Sequence, residues 1–159
     1  MKDQHLITVD EVRAAGARAD ECGVALELPQ DVVAAPEKSV SAPRTIVEAA
    51  NVPPGQMGLD IGPRTVEGFA RWIAGAKTIL WNGPMGVFEL EPFSAGTRGV
   101  ATAIASSSAY AVAGGGDSLA AVAKLGLEES FDHLSTGGGA SLEFLEGREL
   151  PGIRVLEMV

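Results

Sequence analysis

The chain has 159 residues, 46% of them hydrophobic and 21% charged, enough for one core of ordinary domain size. Its formal charge is −9 and no basic stripe with interleaved aromatics runs along it, which argues against nucleic acid as a partner. No run of about 18 apolar residues predicts a membrane span, Met1-Lys2-Asp3-Gln4-His5 lacks the basic-then-apolar order of a leader, and the single Cys22 fits a reducing compartment such as the cytoplasm.

Thr8-Val9-Asp10-Glu11 has the form of a capping box, and Val12, Ala15 and Ala19 then recur at helical spacing until Gly23, a natural stop. Cys22 falls late in this predicted helix and is expected to be a buried structural thiol. Val24-Ala25-Leu26 is short and apolar, and Asp31-Val32-Val33-Ala34-Ala35 is a predicted strand. Five of the nine prolines lie between Pro36 and Pro63, which predicts an irregular excursion with a short antiparallel pair around residues 45–49 and 57–59.

Pro63 is well placed as the first residue of a helix, with Val66, Phe69, Ala70 and Ile73 on one stripe and Gly75 at its end. Trp72 falls between core positions of that helix, so packing is expected of it. Thr78-Ile79-Leu80-Trp81 is the next strand. A helix near Pro92 should carry Phe93, Val100 and Ile104 on one face, and Ser106-Ser107-Ser108 leads to the strand Tyr110-Ala111-Val112-Ala113. A helix over residues 117–124, a short strand His133-Leu134-Ser135 and a helix near residues 140–146 complete the series. Strands alternating with helices of this length predict an α/β fold built on a parallel sheet.

Three turns follow predicted strands, at what would be the C-terminal edge of that sheet, where ligands of open α/β sheets bind. Two are triple glycines, Gly114-Gly115-Gly116 and Gly137-Gly138-Gly139, each followed by a helix. Such a turn lets backbone approach an anion and presents the unpaired N–H groups and positive dipole end of a helix. Asp117 is placed as a helix N-cap, where its carboxylate could also meet a hard cation bridging to phosphate. A tight strand-to-helix turn with a capping acid is the structural alternative. The third turn, Trp81-Asn82-Gly83-Pro84-Met85-Gly86-Val87-Phe88-Glu89, puts a polar amide directly after an apolar strand. Asn82 could donate to phosphate, the loop could form an apolar wall and Glu89 could accept from vicinal hydroxyls; an ordinary turn with a solvated Glu fits equally.

The familiar nucleotide motifs fail. A dinucleotide fingerprint needs a sixth-position Gly or Ala, where the two turns carry Leu119 and Leu142, and a Walker A loop needs a Gly-Lys pair that the chain lacks. His133 has no carboxylate or nucleophile at a telling spacing and is expected to be structural. Lys77, Lys124 and Arg148 lie at element ends, where solvated charge or helix C-terminal complementarity accounts for them. An acidic chain repels anions at long range, so a phosphate ligand would arrive as a metal complex or meet cations supplied from elsewhere.

Gly58-Leu59-Asp60-Ile61-Gly62-Pro63, the segment 81–89, Gly114-Gly115-Gly116-Asp117-Ser118 and Ser135-Thr136-Gly137-Gly138-Gly139-Ala140-Ser141-Leu142-Glu143, ending in Leu150-Pro151-Gly152, closely resemble the phosphoglycerate kinase family in order and spacing. The resemblance implies that residues 1–159 are the C-terminal portion of that family's nucleotide-binding domain, without the N-terminal substrate domain and the first strands of the nucleotide domain. The implied fold is a three-layer, Rossmann-like parallel sheet with flanking helices, left incomplete. The implied reaction is reversible phosphoryl transfer between 1,3-bisphosphoglycerate and MgADP, giving 3-phosphoglycerate and MgATP, a glycolytic step.

Carried onto this sequence, Gly115 and Gly116 resemble amide donors to the nucleotide phosphates, Asp117 the Mg²⁺ contact and Ser118 a phosphate-side hydroxyl, where the family commonly has Thr. Asn82 resembles the phosphate-contacting Asn and Glu89 the ribose acceptor, while Gly58, Leu59, Pro84 and Val87 resemble the adenine and ribose wall. Gly138 and Gly139 resemble the catalytic helix N-terminus that faces the transferring phosphoryl group. The family's substrate-binding basic patch, catalytic arginine and phosphate-binding lysines have no counterpart here. The chain alone is therefore expected to be inactive, to bind ADP or ATP with Mg²⁺ weakly at best, to meet 3-phosphoglycerate only in the full-length enzyme, and to associate through an exposed, truncated sheet. The alternative is a non-catalytic folding or interaction module.

Overall fold

The computed structural model describes residues 8–157, without the side chain of residue 157; residues 1–5, considered above only for a leader pattern, lie outside it. The first helix, α1 (Val9–Glu21), opens on the expected capping box, in which Glu11 N–H donates to Thr8 Oγ1 at 3.2 Å and Thr8 N–H to Glu11 Oε2 at 2.7 Å. None of its residues is buried. Cys22 caps its C-terminal end and is exposed, which corrects the expectation of a buried thiol: a helix that packs on nothing has no interior to offer it. Val24 and Leu26 continue the exposed run.

Two three-stranded sheets follow. In the first, β1 (Asp31–Ala35) is central and pairs antiparallel with both β2 (Thr45–Glu48) and β3 (Met57–Ile61). The segments expected to pair with each other are therefore separated by β1. In the second, β4 (Thr78–Trp81), β5 (Tyr110–Gly114) and β6 (His133–Ser135) run parallel in that order. Helices α2 (Pro63–Gly75), α3 (Ala95–Ala105), α4 (Gly116–Leu125) and α5 (Gly138–Leu145) alternate with these strands, and α6 (Pro151–Glu157) is a last helix that the sequence pattern did not announce. Pro92 lies in a 3-10 turn, Glu91–Phe93, and the α-helix starts only at Ala95 after Ser94 Oγ donates back to Glu91 O at 2.8 Å.

The main core lies on one face of the parallel sheet. Trp81, Ala111 and Ala113 meet Val100, Ala101 and Ile104 of α3 and Ala121 and Val122 of α4, with Phe69 and Ile73 of α2 at the margin. Alanines on the central strand let the helices approach closely, and the Trp81 ring stacks on Phe131 with centroids 6.1 Å apart. The opposite face is only half covered. Leu80 and Tyr110 are exposed, and a cavity of about 570 Å³ opens between Leu80, Val112 and His133 on the sheet and Phe144, Leu145 and Ile153 on α5 and α6. Trp72 is 57% exposed, so the burial expected of it is absent.

Two buried aspartates join the sheets to the helices. Asp31, 1% exposed, accepts from the Thr65 N–H at 2.8 Å, the Thr65 hydroxyl at 2.7 Å and the Arg64 N–H at 3.2 Å, and so caps α2 from β1. Only glycine fits at Gly62, where a Cβ would stand 2.2 Å from the Asp31 carboxyl carbon. Burial alone would raise the Asp31 pKa, but these donors and the Arg64 guanidinium at 3.6 Å together hold it below the ordinary aspartate value. Its stabilisation is therefore complete above about pH 4 and is lost as pH falls through the lowered folded-state value. Asp31→Ala is expected to destabilise by about 3 kcal/mol at neutral pH. In urea denaturation the gap between wild type and variant should hold from about pH 5 upward and shrink below about pH 4; a gap that widens in acid would contradict the assignment.

Candidate functional site

Because β4, β5 and β6 are parallel and in register, Trp81, Gly114 and Ser135 end on one edge of the sheet. The ladder runs one residue further, since the Gly115 N–H donates to Ser135 O at 2.9 Å. Gly115 then turns with φ +90° and ψ 148°, backbone closed to other residue types, and α4 starts at Gly116. One strand over, α5 starts at Gly138, with Ser135 Oγ accepting from Gly137 N–H at 3.3 Å and Ser141 Oγ donating to Gly137 O at 3.0 Å.

The two turns touch. A Cβ on Gly138 would lie 2.7 Å from the Gly115 Cα and 2.8 Å from its nitrogen. Asn82 Oδ1 closes the same point, 3.0 Å from where a Cβ of Gly114 or of Gly138 would stand. Gly116 and Gly139 face the other way, with nothing within 4 Å of a Cβ on either. First-turn amides of α4 and α5 have no intrahelical acceptors, so both sets open on this side with both positive dipole ends. Asp117 is exposed in the first turn of α4 rather than at its N-cap, because Gly115 occupies that position and no side chain caps the helix. Ser118, one residue on, is 1% exposed, and its hydroxyl has no partner among the described residues.

The loop from Asn82 to Leu90 leaves this point and is gripped on three sides. Met85 N–H donates to Thr97 Oγ1 of α3 at 3.1 Å, Val87 N–H to Leu59 O of β3 at 2.8 Å, and Lys124 Nζ of α4 to Phe88 O at 2.7 Å and Glu89 O at 3.3 Å. Gly86 is packed against Asp60, whose Oδ1 would stand 2.3 Å from a Cβ there. Asp60, 3% exposed, caps α3 from β3: its Oδ2 accepts from Gly96 N–H at 2.7 Å. Burial pushes its pKa up, opposed by the amides of Gly96, Ile61 and Ala95.

Asn82, Gly114, Gly115, Gly116, Asp117, Gly138 and Gly139 therefore gather at one point, while Pro84, Val87 and Glu89 lie along the loop that leads away from it. Three expectations change. The Gly115 N–H is spent in the sheet ladder and is not free to donate, and the Leu59 side chain is buried in a cluster with Ala35, Ala42 and Phe93, against which Val87 and Leu90 of the loop pack, while its carbonyl accepts from Val87 N–H. The Ser118 hydroxyl is also inside rather than on the open face. Gly58 stays exposed on β3, its α-carbon face toward Val32. Among the described residues no three His, Cys, Asp or Glu side chains converge. Asp60 and Thr97 were not singled out from sequence, an acid inside the apolar strand β3 being the available signal for the first; Lys124, expected to be a solvated or helix-end charge, instead donates to the loop carbonyls of Phe88 and Glu89.

The sequence profile of phosphoglycerate kinases matches residues 1–148. The chain belongs to the phosphoglycerate kinase family. The phosphoglycerate kinase of Rubrobacter xylanophilus is 61% identical over 131 residues, covering 82% of this chain and 33% of that protein. That of Herpetosiphon aurantiacus is 53% identical over 154 residues, covering 95% of this chain and 39% of its own length. The solved phosphoglycerate kinase from Coxiella burnetii aligns with a TM-score of 0.87 at 46% identity, over 92% of this chain and 38% of that one. The one from Pyrococcus horikoshii OT3 aligns at 0.78 and 37% identity, over 94% and 36%. The chain thus spans about a third of the length of the curated relatives it matches, and the α/β architecture with its parallel sheet is that of the family.

The contact between the turns makes Gly138 and Gly139 a matched pair for test. Gly138→Ala is expected to destabilise by about 2 kcal/mol or more, since backbone atoms stand where the methyl would go. Gly139→Ala should be neutral or slightly stabilising, because its site is open and alanine favours helix. Chemical denaturation of both variants checks this; equal stabilities would show that the close approach is not a constraint.

Proposed function

We propose that the chain provides the nucleotide-phosphate part of a phosphoglycerate kinase, which transfers a phosphoryl group between 1,3-bisphosphoglycerate and MgADP to give 3-phosphoglycerate and MgATP in glycolysis. The observation that carries this reading is the junction of two helix N-termini through Gly115 and Gly138, with open space before Gly116 and Gly139. Such a junction suits an extended, doubly anionic ligand. In this reading Gly116 and the amides of Asp117 and Ser118 bind the nucleotide phosphates, and Gly115 serves by its φ rather than its N–H. Asn82 contacts phosphate, Gly58, Pro84 and Val87 border the adenine and ribose, Leu59 contributes its backbone, and Glu89 accepts from ribose hydroxyls. Gly138 and Gly139 face the transferring group.

The residues present fit a magnesium nucleotide. Mg²⁺ keeps several waters and is commonly held by one carboxylate together with substrate phosphates, and the lone exposed Asp117 beside unpaired amides is such a donor set. Asp117 would hold the ion, which would supply positive charge to offset that of the phosphates. Phosphoryl transfer relies on positioning and charge neutralisation, and the cationic contacts worth several kcal/mol in such sites have no counterpart here. Turnover therefore belongs to the full-length enzyme, which also binds 3-phosphoglycerate. The lone cysteine is consistent with the cytoplasm, and among the described residues no helix is long and apolar enough to cross a membrane.

A second reading is favoured by one specific observation: among the described residues β4 pairs on one side only, and the sheet face beside it is half uncovered. An apolar face with an open strand edge favours association, as in a non-catalytic folding or interaction module or a homo-oligomer. Calorimetric titration with MgADP separates the readings. Heat that is lost in Asp117→Ala is the expected outcome; no heat at millimolar MgADP would leave only the module. Sedimentation should show self-association, and a monomer at high concentration would count against it.

A further inference from the structure

The loop 82–90 places, on the nucleotide reading, the residues that border the nucleoside, yet nothing in that reading says what fixes its far end. Its near end is fixed by the strand it continues and by Asn82 at the glycine turns. Around Phe88 the chain doubles back tightly, with Phe88 N–H donating to Gly86 O at 2.8 Å and Leu90 N–H to Val87 O at 3.0 Å. The carbonyls of Phe88 and Glu89 are left without a backbone donor, and a part-buried carbonyl without one is costly. Lys124 meets both, at 2.7 and 3.3 Å, while its ammonium lies 5.8 Å from the centroid of the buried Phe88 ring. Arg98 borders the same small void beside Phe88 and Lys124 but donates to neither carbonyl.

Lys124 also stands on α4, the helix whose first turn carries Gly116 and Asp117. Eight residues separate Gly116 from Lys124, about 12 Å along the helix axis. One rigid element thus reaches from the proposed phosphate end of the site to the loop that borders the nucleoside. We infer that Lys124 is a positioning residue that ties loop 82–90 to α4 and thereby sets the spacing between the phosphate-binding and nucleoside-binding parts of the site. The inference rests on the nucleotide reading and deepens it. Lys124 touches no ligand itself; its ammonium acts through the Phe88 and Glu89 carbonyls, and removing it loosens the Phe88–Glu89 end of the loop while the ties of Met85 and Val87 and the helix N-termini stay as they are.

The test uses the whole chain as wild type, Lys124→Met and Lys124→Arg. Methionine keeps an apolar stem over the Phe88 ring and removes only the donors; arginine restores a cation with donors. Two quantities are read: amide hydrogen exchange across residues 82–90, and affinity for MgADP against magnesium pyrophosphate, which lacks the nucleoside. In Lys124→Met exchange in the loop should quicken and MgADP binding weaken about tenfold, with pyrophosphate affinity and exchange in α5 unchanged. Lys124→Arg should recover most of both. Unaltered loop exchange, or an equal loss for MgADP and pyrophosphate, would overturn the inference. Equal MgADP affinity in wild type and Lys124→Met would overturn it while the nucleotide reading survives. Wild type that binds neither probe would overturn both.

Discussion

Everything proposed for this chain depends on one close approach, the contact between Gly115 and Gly138 where α4 and α5 begin. A side chain at Gly138 would collide with backbone rather than with a movable neighbour. The absence of side chains is therefore what lets two helix N-termini share one point. Electrostatics alone would not put them there. Each helix presents about half a positive charge at its N-terminus, so two such ends side by side repel. Asn82 Oδ1, an acceptor near both turns, offsets a little of that. An anion offsets far more, and linkage requires that a ligand bound at the folded junction also stabilise it.

The junction is held in place from a distance. Asp31 and Asp60 are buried acids that cap α2 and α3 from the antiparallel sheet, and they respond to pH in opposite senses. Asp31 has enough donors to outweigh its burial, so its ionised form stabilises the fold and acid removes that contribution. Asp60 does not, so its raised value means stability that falls as pH rises through its titration. The difference follows from donor type. Asp31 receives a hydroxyl and faces a guanidinium as well as two amides, whereas Asp60 receives amides alone. Asp60 nevertheless occupies the position where α3, β3 and Gly86 meet, so the cost of burying it falls where the loop 82–90 needs an anchor.

Much of this was legible in the sequence because it is local. Strand, glycines and helix in succession dictate a turn with free amides, and the failure of the Gly-x-Gly-x-x-Gly and Walker patterns at Leu119 and Leu142 was informative in itself. The bounds of α2, β1, β4 and β6 follow from Pro63, Gly75 and the apolar runs around them. What was not legible is decided by partners far away in sequence. The Gly115 N–H is spent because β6 lies beside β5, Leu59 is internal because the 3-10 turn brings Phe93 over it, and Lys124 is a tie rather than a solvated charge because loop 82–90 folds back on α4. Trp72, Cys22 and the apolar stripe of α1 erred in the other direction. Their patterns ask for burial that no described element supplies.

Those unmet patterns and the charge of the site lead to the same conclusion. Two helix N-termini together offer about one positive charge, whereas a single phosphate monoester carries about −1.5 to −2. The chain as a whole bears −9, and Asp117 adds a further carboxylate at the phosphate end. Amides and helix dipoles act only at short range, so they can orient phosphates that have already arrived but cannot neutralise them. On the nucleotide reading, a divalent ion would close part of the deficit and would account for Asp117, which would otherwise oppose the very ligand that the amides favour. The remainder must come from cationic groups outside these residues. The same relatives that supply the family assignment are about three times as long as this chain, and the half-covered face of the parallel sheet and the bare α1 are where additional chain would find apolar surface to bury. On the nucleotide reading, incomplete burial and incomplete neutralisation are thus two aspects of one arrangement: the described residues supply the backbone part of the proposed site and leave its charge unmet.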